Sequence, residues 1–335
     1  MSDKKKKKQM EILRVLNEAD EPLTSIEIAE ELIDMGYDIS ERTVRFYLKV
    51  LDQQGMTENL GKFGRRITEK GSMELTDSRI LEKVGFFSAR IDQMTYRMNL
   101  DITNRTGTVV VNMSLVKPDI LLKCAHQINQ VYEKHYAMGR LLALFGPGER
   151  VGHIYVPQGK VGICTVCSIT LNGVLLEYGI PTNSRFGGLL EMERGKPKRF
   201  VEIISYDGTT IDPLEVFIKS GMTNYKGAIT DGNGRIGASF REFPAESRKK
   251  ILELGMRMED IGLGSFLRIG RNGQPLMEIP VSEGRIGAIV IGGLNPVSIL
   301  EESGYNVYSR ALAGLVDFNR LIPHQELEQS VKKMT

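Results

Sequence analysis

The stretch SERTVRFYLKVL, Ser40–Leu51, decides how the front of the chain reads. Ser40 is a good N-cap, because its hydroxyl can accept from the free backbone N–H groups of a helical first turn. Val44, Tyr47, Leu48 and Leu51 follow at i, i+3, i+4, i+7 spacing and make one apolar stripe. The other face carries Arg42, Thr43, Arg45, Phe46 and Lys49. A helix buried along one side, with arginine, threonine and lysine along the other, suits the major groove of duplex DNA.

The flanking residues extend this into a winged helix-turn-helix over Leu23–Gly71. Residues 8–18 place Ile12, Leu13 and Leu16 on one helical face. Thr24 or Ser25 caps a second helix with Ile26, Ala29, Leu32 and Ile33 inward, and Gly36 ends it. The turn from Gly36 to Ser40 is short enough to set two helices across each other. After Gly55 the pattern predicts a hairpin, Met56–Ile67, with Gly61, Lys62, Gly64, Arg65 and Arg66 near its tip. That is the composition of a wing, which carries positive charge to a phosphate backbone or minor groove.

Charge follows the same division. Residues 9–41 hold ten acidic side chains and one basic, Arg14, whereas residues 42–70 hold seven basic and three acidic. The recognition helix and wing are therefore positive and the helices before them negative, a dipole that orients on a polyanion. The expected DNA-contacting residues are Ser40, Arg42, Thr43, Arg45, Lys49, Lys62, Arg65 and Arg66. A protein-binding or merely dimerising winged helix is the plain alternative. The run Lys4–Lys8 either adds loose phosphate contacts or is a solvated tail.

At 335 residues the chain should hold two or three domains. No stretch approaches a membrane span, the polylysine start is not a signal peptide, and three cysteines make no disulfide framework, which together suggest a cytoplasmic protein. The expected fold class is α+β, with a winged helix-turn-helix over residues 1–76, a connector helix or linker over 77–105 and an internally duplicated α/β domain over 106–325. In the connector, Ile80, Leu81, Val84, Phe87, Ile91, Met94 and Met98 have helix-like spacing.

The duplication, about 106–230 and 231–325, shows as repeated strings. GICTVCSITLNG from Gly162 is answered by GLGSFLRIGRNG from Gly262, with Asn172-Gly173 and Asn272-Gly273 as matching hairpin turns. Arg185-Phe186-Gly187-Gly188 is answered by Arg285-Ile286-Gly287-Ala288. Asp212-Pro213 and Asn295-Pro296 each read as cap and first turn of a short helix that ends at Ser-Gly. Upstream, a β-rich run (Thr108–Leu115) then Pro118 and a helix matches Gly234–Phe243 then Pro244 and a helix. Two such units can share a core and leave a cleft between them.

No catalytic set of nucleophile, base and orienting group stands out, and no enzyme is expected. Cys164 and Cys167 form a CxxC within a predicted strand, where residues three apart face opposite sides, and the histidines lack metal spacing; no metal or cofactor is expected. The commonest reading is small buried residues, with one thiol, Cys164, lining the cleft. Lys160, Arg235 and Arg285 sit at strand starts and, with Arg185, are the best cations for a small dicarboxylate, since an arginine fork matches a carboxylate. Thr182, Asn183 and Ser184 lie beside Arg185 and supply further donors.

With the winged helix, VVVNMSLV (Val109–Val116), GICTVCS (Gly162–Ser168) and IPTNSRFGG (Ile180–Gly188) in view, the chain resembles the archaeal nitrogen-regulation repressor family NrpR from about residue 8 to Pro323. The resemblance implies a repressor that binds palindromic operators of nitrogen-assimilation genes as a homodimer paired through the regulatory domain. It also implies that 2-oxoglutarate acts as the inducer that weakens DNA binding. Some members carry two regulatory domains where this chain has one, which raises a second regulatory-domain protein as a partner. Three readings stand beside it: a regulator sensing another small carboxylate, a winged helix fused to a metabolite-processing enzyme domain, and an RNA-associated winged helix stacking bases on Phe46 and Phe63.

Overall fold

The computed structural model describes residues 3–19, 21–37, 39–75 and 87–334, with side chains from Lys8 onward. The chain forms two compact units, Met1–Gly85 and Phe86–Thr335. Among the described residues no helix is long and apolar enough to cross a membrane.

The first unit is α1 (Asp3–Glu18), α2 (Ser25–Asp34), α3 (Glu41–Gln53), the antiparallel pair β1 (Thr57–Asn59) and β2 (Arg65–Ile67), and α4 (69–75). The lysine run opens α1 and is not a separate tail. Thr24, not Ser25, caps α2, in a reciprocal capping box with Glu27. Val44, Tyr47, Leu48 and Leu51 are buried against Ile12, Leu13, Leu16, Ile28, Ala29 and Leu32. Ile26 and Ile33, expected inward, are each 54% exposed. Helix α2 is rotated so that Ile28 fills the space between α1 and α3. Asp38 and the connector positions Ile80, Leu81 and Val84 lie outside the described residues.

The rest of the connector stretch is built into the second unit. Helix α5 (Phe87–Arg97) buries Phe87, Ile91 and Met94, and Phe87 stacks on Tyr206 with ring centroids 5.7 Å apart. The elements that follow are β3 (Thr108–Val116), α6 (Pro118–Glu133), β4 (Leu141–Phe145), the short pair β5 (Arg150–Val151) and β6 (Ile154–Tyr155), β7 (Val161–Val166), α7 (Ile169–Glu177), β8 (Asn183–Glu193) and β9 (Lys196–Ser205). After them come α8 (Pro213–Lys219), α9 (Tyr225–Thr230), β10 (Gly234–Pro244), α10 (Arg248–Asp260), β11 (Phe266–Ile269), β12 (Arg285–Ile291), α11 (Asn295–Glu302), β13 (Tyr308–Asp317), β14 (Ile322–Pro323) and α12 (Leu327–Lys332).

Two antiparallel sheets result, in the orders β13-β3-β7-β4-β14 and β11-β12-β10-β8-β9. They are twins with exchanged strands. The set β3, β4, β7 takes in β13 from the second half, and β10, β11, β12 takes in β8 from the first. One continuous core runs through both.

This register corrects part of the sequence alignment of the two halves. The partner of β7–α7 is β12–α11, not the string from Gly262. Asn172-Gly173 is no hairpin turn but the middle of α7, where the helix presses so close to Met98 that a Cβ on Gly173 would lie 2.4 Å from Met98 Cε. Burial of this face outweighs the local turn preference. Asp212 does cap α8, accepting from the N–H groups of Leu214 and Glu215. Asn295 does not cap α11: its side chain is fully buried, accepting from Tyr225 Oη and donating to the carbonyls of Tyr136 and Gly237.

Candidate DNA-reading face and effector site

The basic face of the first unit is assembled by α3 and the wing. Arg42, Phe46 and Lys49 project from α3 away from its buried stripe. Ser40 and Thr43 are used in the cap itself: Ser40 Oγ accepts from Thr43 N–H, and the two hydroxyls are 2.9 Å apart. Arg45 is exposed but held, paired to Glu41 at 2.6 Å and donating to Ser25 Oγ. In the wing, Lys62 and Arg66 are exposed. Arg65, expected with them, turns inward and binds Asp52 of α3 at 3.0 Å, while Thr57 donates to the same carboxylate. Its role is to fasten the wing to the recognition helix. A second fastening is the backbone bridge Leu23–Arg65, which Gly64 permits: at φ +94 its Cβ would sit 2.3 Å from the Leu23 carbonyl oxygen.

In the second unit the expected effector residues separate. Thr182, Asn183, Ser184 and Arg285 line one cavity of about 320 Å3, together with Asp92 and Asp207. The Thr182 hydroxyl has no hydrogen-bond partner there. Arg185 is already paired, to the buried Glu242 at 2.8 Å and to the Pro280 carbonyl at 2.7 Å. Arg235 lines a different cavity, beside Glu191, Glu193 and Lys198. Cys164 lines no cleft. It lies in the core of β7, where burial pushes its thiol pKa up; burial likewise pushes Cys167 up to about 12, so neither thiol is a poised nucleophile or ligand. Among the described residues no group of acidic, histidine and cysteine side chains could hold a metal ion.

Sequence reasoning missed Arg241. It is fully buried on β10, and burial pulls its pKa down to about 10, leaving it charged at neutral pH. It donates to the Ser168 carbonyl at 2.9 Å, to Ser168 Oγ at 2.7 Å and to Asn172 Oδ1. Its Nε has no partner, and no described carboxylate pairs with it. A buried cation without a counter-charge is costly, and these bonds offset that cost by tying β10 to the start of α7. Ser168, Cys167, Tyr206, Asp212 and Gly293 wall a small chamber beside it. The starts of α7 and α11, related by the twin arrangement, meet there, since a Cβ on Gly293 would be 2.5 Å from the Val166 carbonyl. Asn172 Nδ2 in turn donates to Ser184 Oγ, which links Arg241 to the wall of the 320 Å3 cavity. The available clue was that the run Ile236–Phe243 reads apolar on both faces except for Ser239, Arg241 and Glu242, as a strand covered on both sides does.

The fold and these surfaces define a winged-helix regulator whose second unit is a duplicated α/β body. Comparison with known proteins makes this particular. The family described as NrpR regulatory domains NRD1 and 2 matches residues 84–322, and the ribonuclease R winged-helix domain matches residues 10–75. The chain is 34% identical over 315 residues to the global nitrogen regulator NrpRI of Methanosarcina mazei, covering 94% of this chain and 97% of that one. It is 32% identical to the global nitrogen regulator NrpR of Methanococcus maripaludis, covering 93% of this chain and 54% of that longer protein. The crystal structure of a nitrogen repressor-like protein from Methanococcus jannaschii superposes with a TM-score of 0.59 at 25% identity, over 70% of this chain and 97% of that one. The chain belongs to the NrpR family.

Proposed function

We infer that this protein represses nitrogen-assimilation genes by binding palindromic operators as a homodimer, and that 2-oxoglutarate releases it. The observation that carries the DNA-binding part is the exposed row Arg42, Arg45 and Lys49 on α3 beside Lys62 and Arg66 on the wing. Two copies paired through the second unit would set their recognition helices in half-sites about 34–36 Å apart, one turn of duplex. Replacing Arg66 with alanine should weaken binding to all sequences and lower the salt-dependence slope by about one, whereas Arg45→Ala should erode operator preference. Electrophoretic shifts at several salt concentrations read both; unchanged binding in both variants contradicts the assignment.

The effector part rests on the cavity of about 320 Å3 lined by Thr182, Asn183, Ser184 and Arg285. A dicarboxylate there would take the Arg285 guanidinium against one carboxylate and the unpartnered Thr182 hydroxyl as a further donor. Calorimetric titration of the full chain with 2-oxoglutarate, with citrate and glutamate as comparators, tests the ligand. Arg285→Lys keeps the charge but loses the planar fork, and should bind operator normally while losing release by 2-oxoglutarate. No heat from 2-oxoglutarate, or normal release from Arg285→Lys, overturns this reading.

A further inference from the structure

Phe46 is an exposed aromatic between the cations of α3, as Phe63 is beside Lys62 in the wing. It is 59% exposed, although a phenyl ring left in water forgoes the gain of burial. The core of the first unit does not need it, because Val44, Tyr47, Leu48 and Leu51 already complete the inward stripe of α3. At 100° per residue Phe46 falls almost opposite that stripe, one turn after Arg42 and one turn before Lys49. Its ring is not loose: it meets the buried Tyr47 ring edge-on, with centroids 5.5 Å apart and planes at 69°. A ring steadied at the centre of a groove-facing helix, between two phosphate- or guanine-seeking cations, has one apolar target in the major groove, the C5-methyl of thymine.

We propose that Phe46 reads a thymine methyl in each operator half-site and so fixes thymine against cytosine at that position. This rests on the duplex-binding reading above, and the test separates the two. Duplexes retained by the full chain are selected from a random-sequence pool, and each thymine of the enriched half-site is replaced in turn by deoxyuridine, which removes the methyl and leaves pairing intact. At one thymine the wild-type chain should bind about fourfold more weakly, the ratio for one methyl lost from apolar contact. Phe46→Ala, whose folding is checked by thermal melting, should bind the thymine and deoxyuridine forms alike, and Phe46→Leu should restore part of the difference. A half-site whose thymines are all insensitive to methyl removal, or equal sensitivity in wild type and Phe46→Ala, overturns the role of Phe46 alone. A pool that yields no enriched duplex overturns the DNA-binding reading and this inference with it.

Discussion

At the scale of single residues, Asp212 shows how one side chain can serve a helix and still strain the core. Its carboxylate caps α8, which favours the charged form, but its burial and the neighbouring Glu215 weigh more and raise its pKa to about 7. The native state therefore binds a proton that the unfolded chain, with an ordinary aspartate near 3.9, has released. The stabilisation from this group is complete below about pH 4 and is lost as pH rises through about 7. Asp212→Asn keeps a capping oxygen without the charge. Relative to wild type it should be more stable at pH 8 than at pH 5, and denaturant unfolding of both proteins at the two pH values measures that difference. Arg241 is the counterpart of opposite sign, and it was easy to miss in the sequence for a related reason. A lone arginine in GASFREFP reads as the solvent side of a strand until the sheet is known to be covered on both faces.

At the scale of elements, the winged helix was the most legible part. Helix α3 has its cap, its stripe and its charged face within twelve consecutive residues, Ser40–Leu51, so local rules suffice to read it. Where only periodicity spoke, as for the rotation of α2, the outcome depended on neighbours and Ile26 and Ile33 fell outside. The turn signal at Asn172-Gly173 failed because packing against Met98 decided that segment. Arg65 was legible as a wing cation but not as the partner of Asp52, thirteen residues away in sequence. The same wing yields a sharp expectation. Gly64→Ala forces a side chain into the Leu23 backbone at a positive φ, and should cost more than about 1 kcal/mol. Thermal melting should show the transition of the first unit lowered and that of the second unchanged, with operator binding weakened in step.

At the scale of the molecule, the repeat was visible as two strand–proline–helix openings, yet the exchange of β8 and β13 between the sheets was not. Strand partnership is set by contacts far apart in sequence, and no local pattern records it. The exchange predicts that neither half folds alone. In fragments divided between Asp231 and Gly232 each part of this body should be unfolded or aggregate through bare sheet edges, but the two should assemble into a cooperative body when produced together. Co-purification and circular dichroism check this, and an independently folded C-terminal fragment would contradict it. The same lacing bears on how the proposed effector would act. Halves stitched by β13–β3 at one place and β8–β10 at another cannot swing apart like the jaws of a periplasmic receptor without tearing a ladder. A response to it would then be a slide of helices over the sheets, of about an ångström or two. Helix α5, resting on both α7 and β13, is the element placed to feel it.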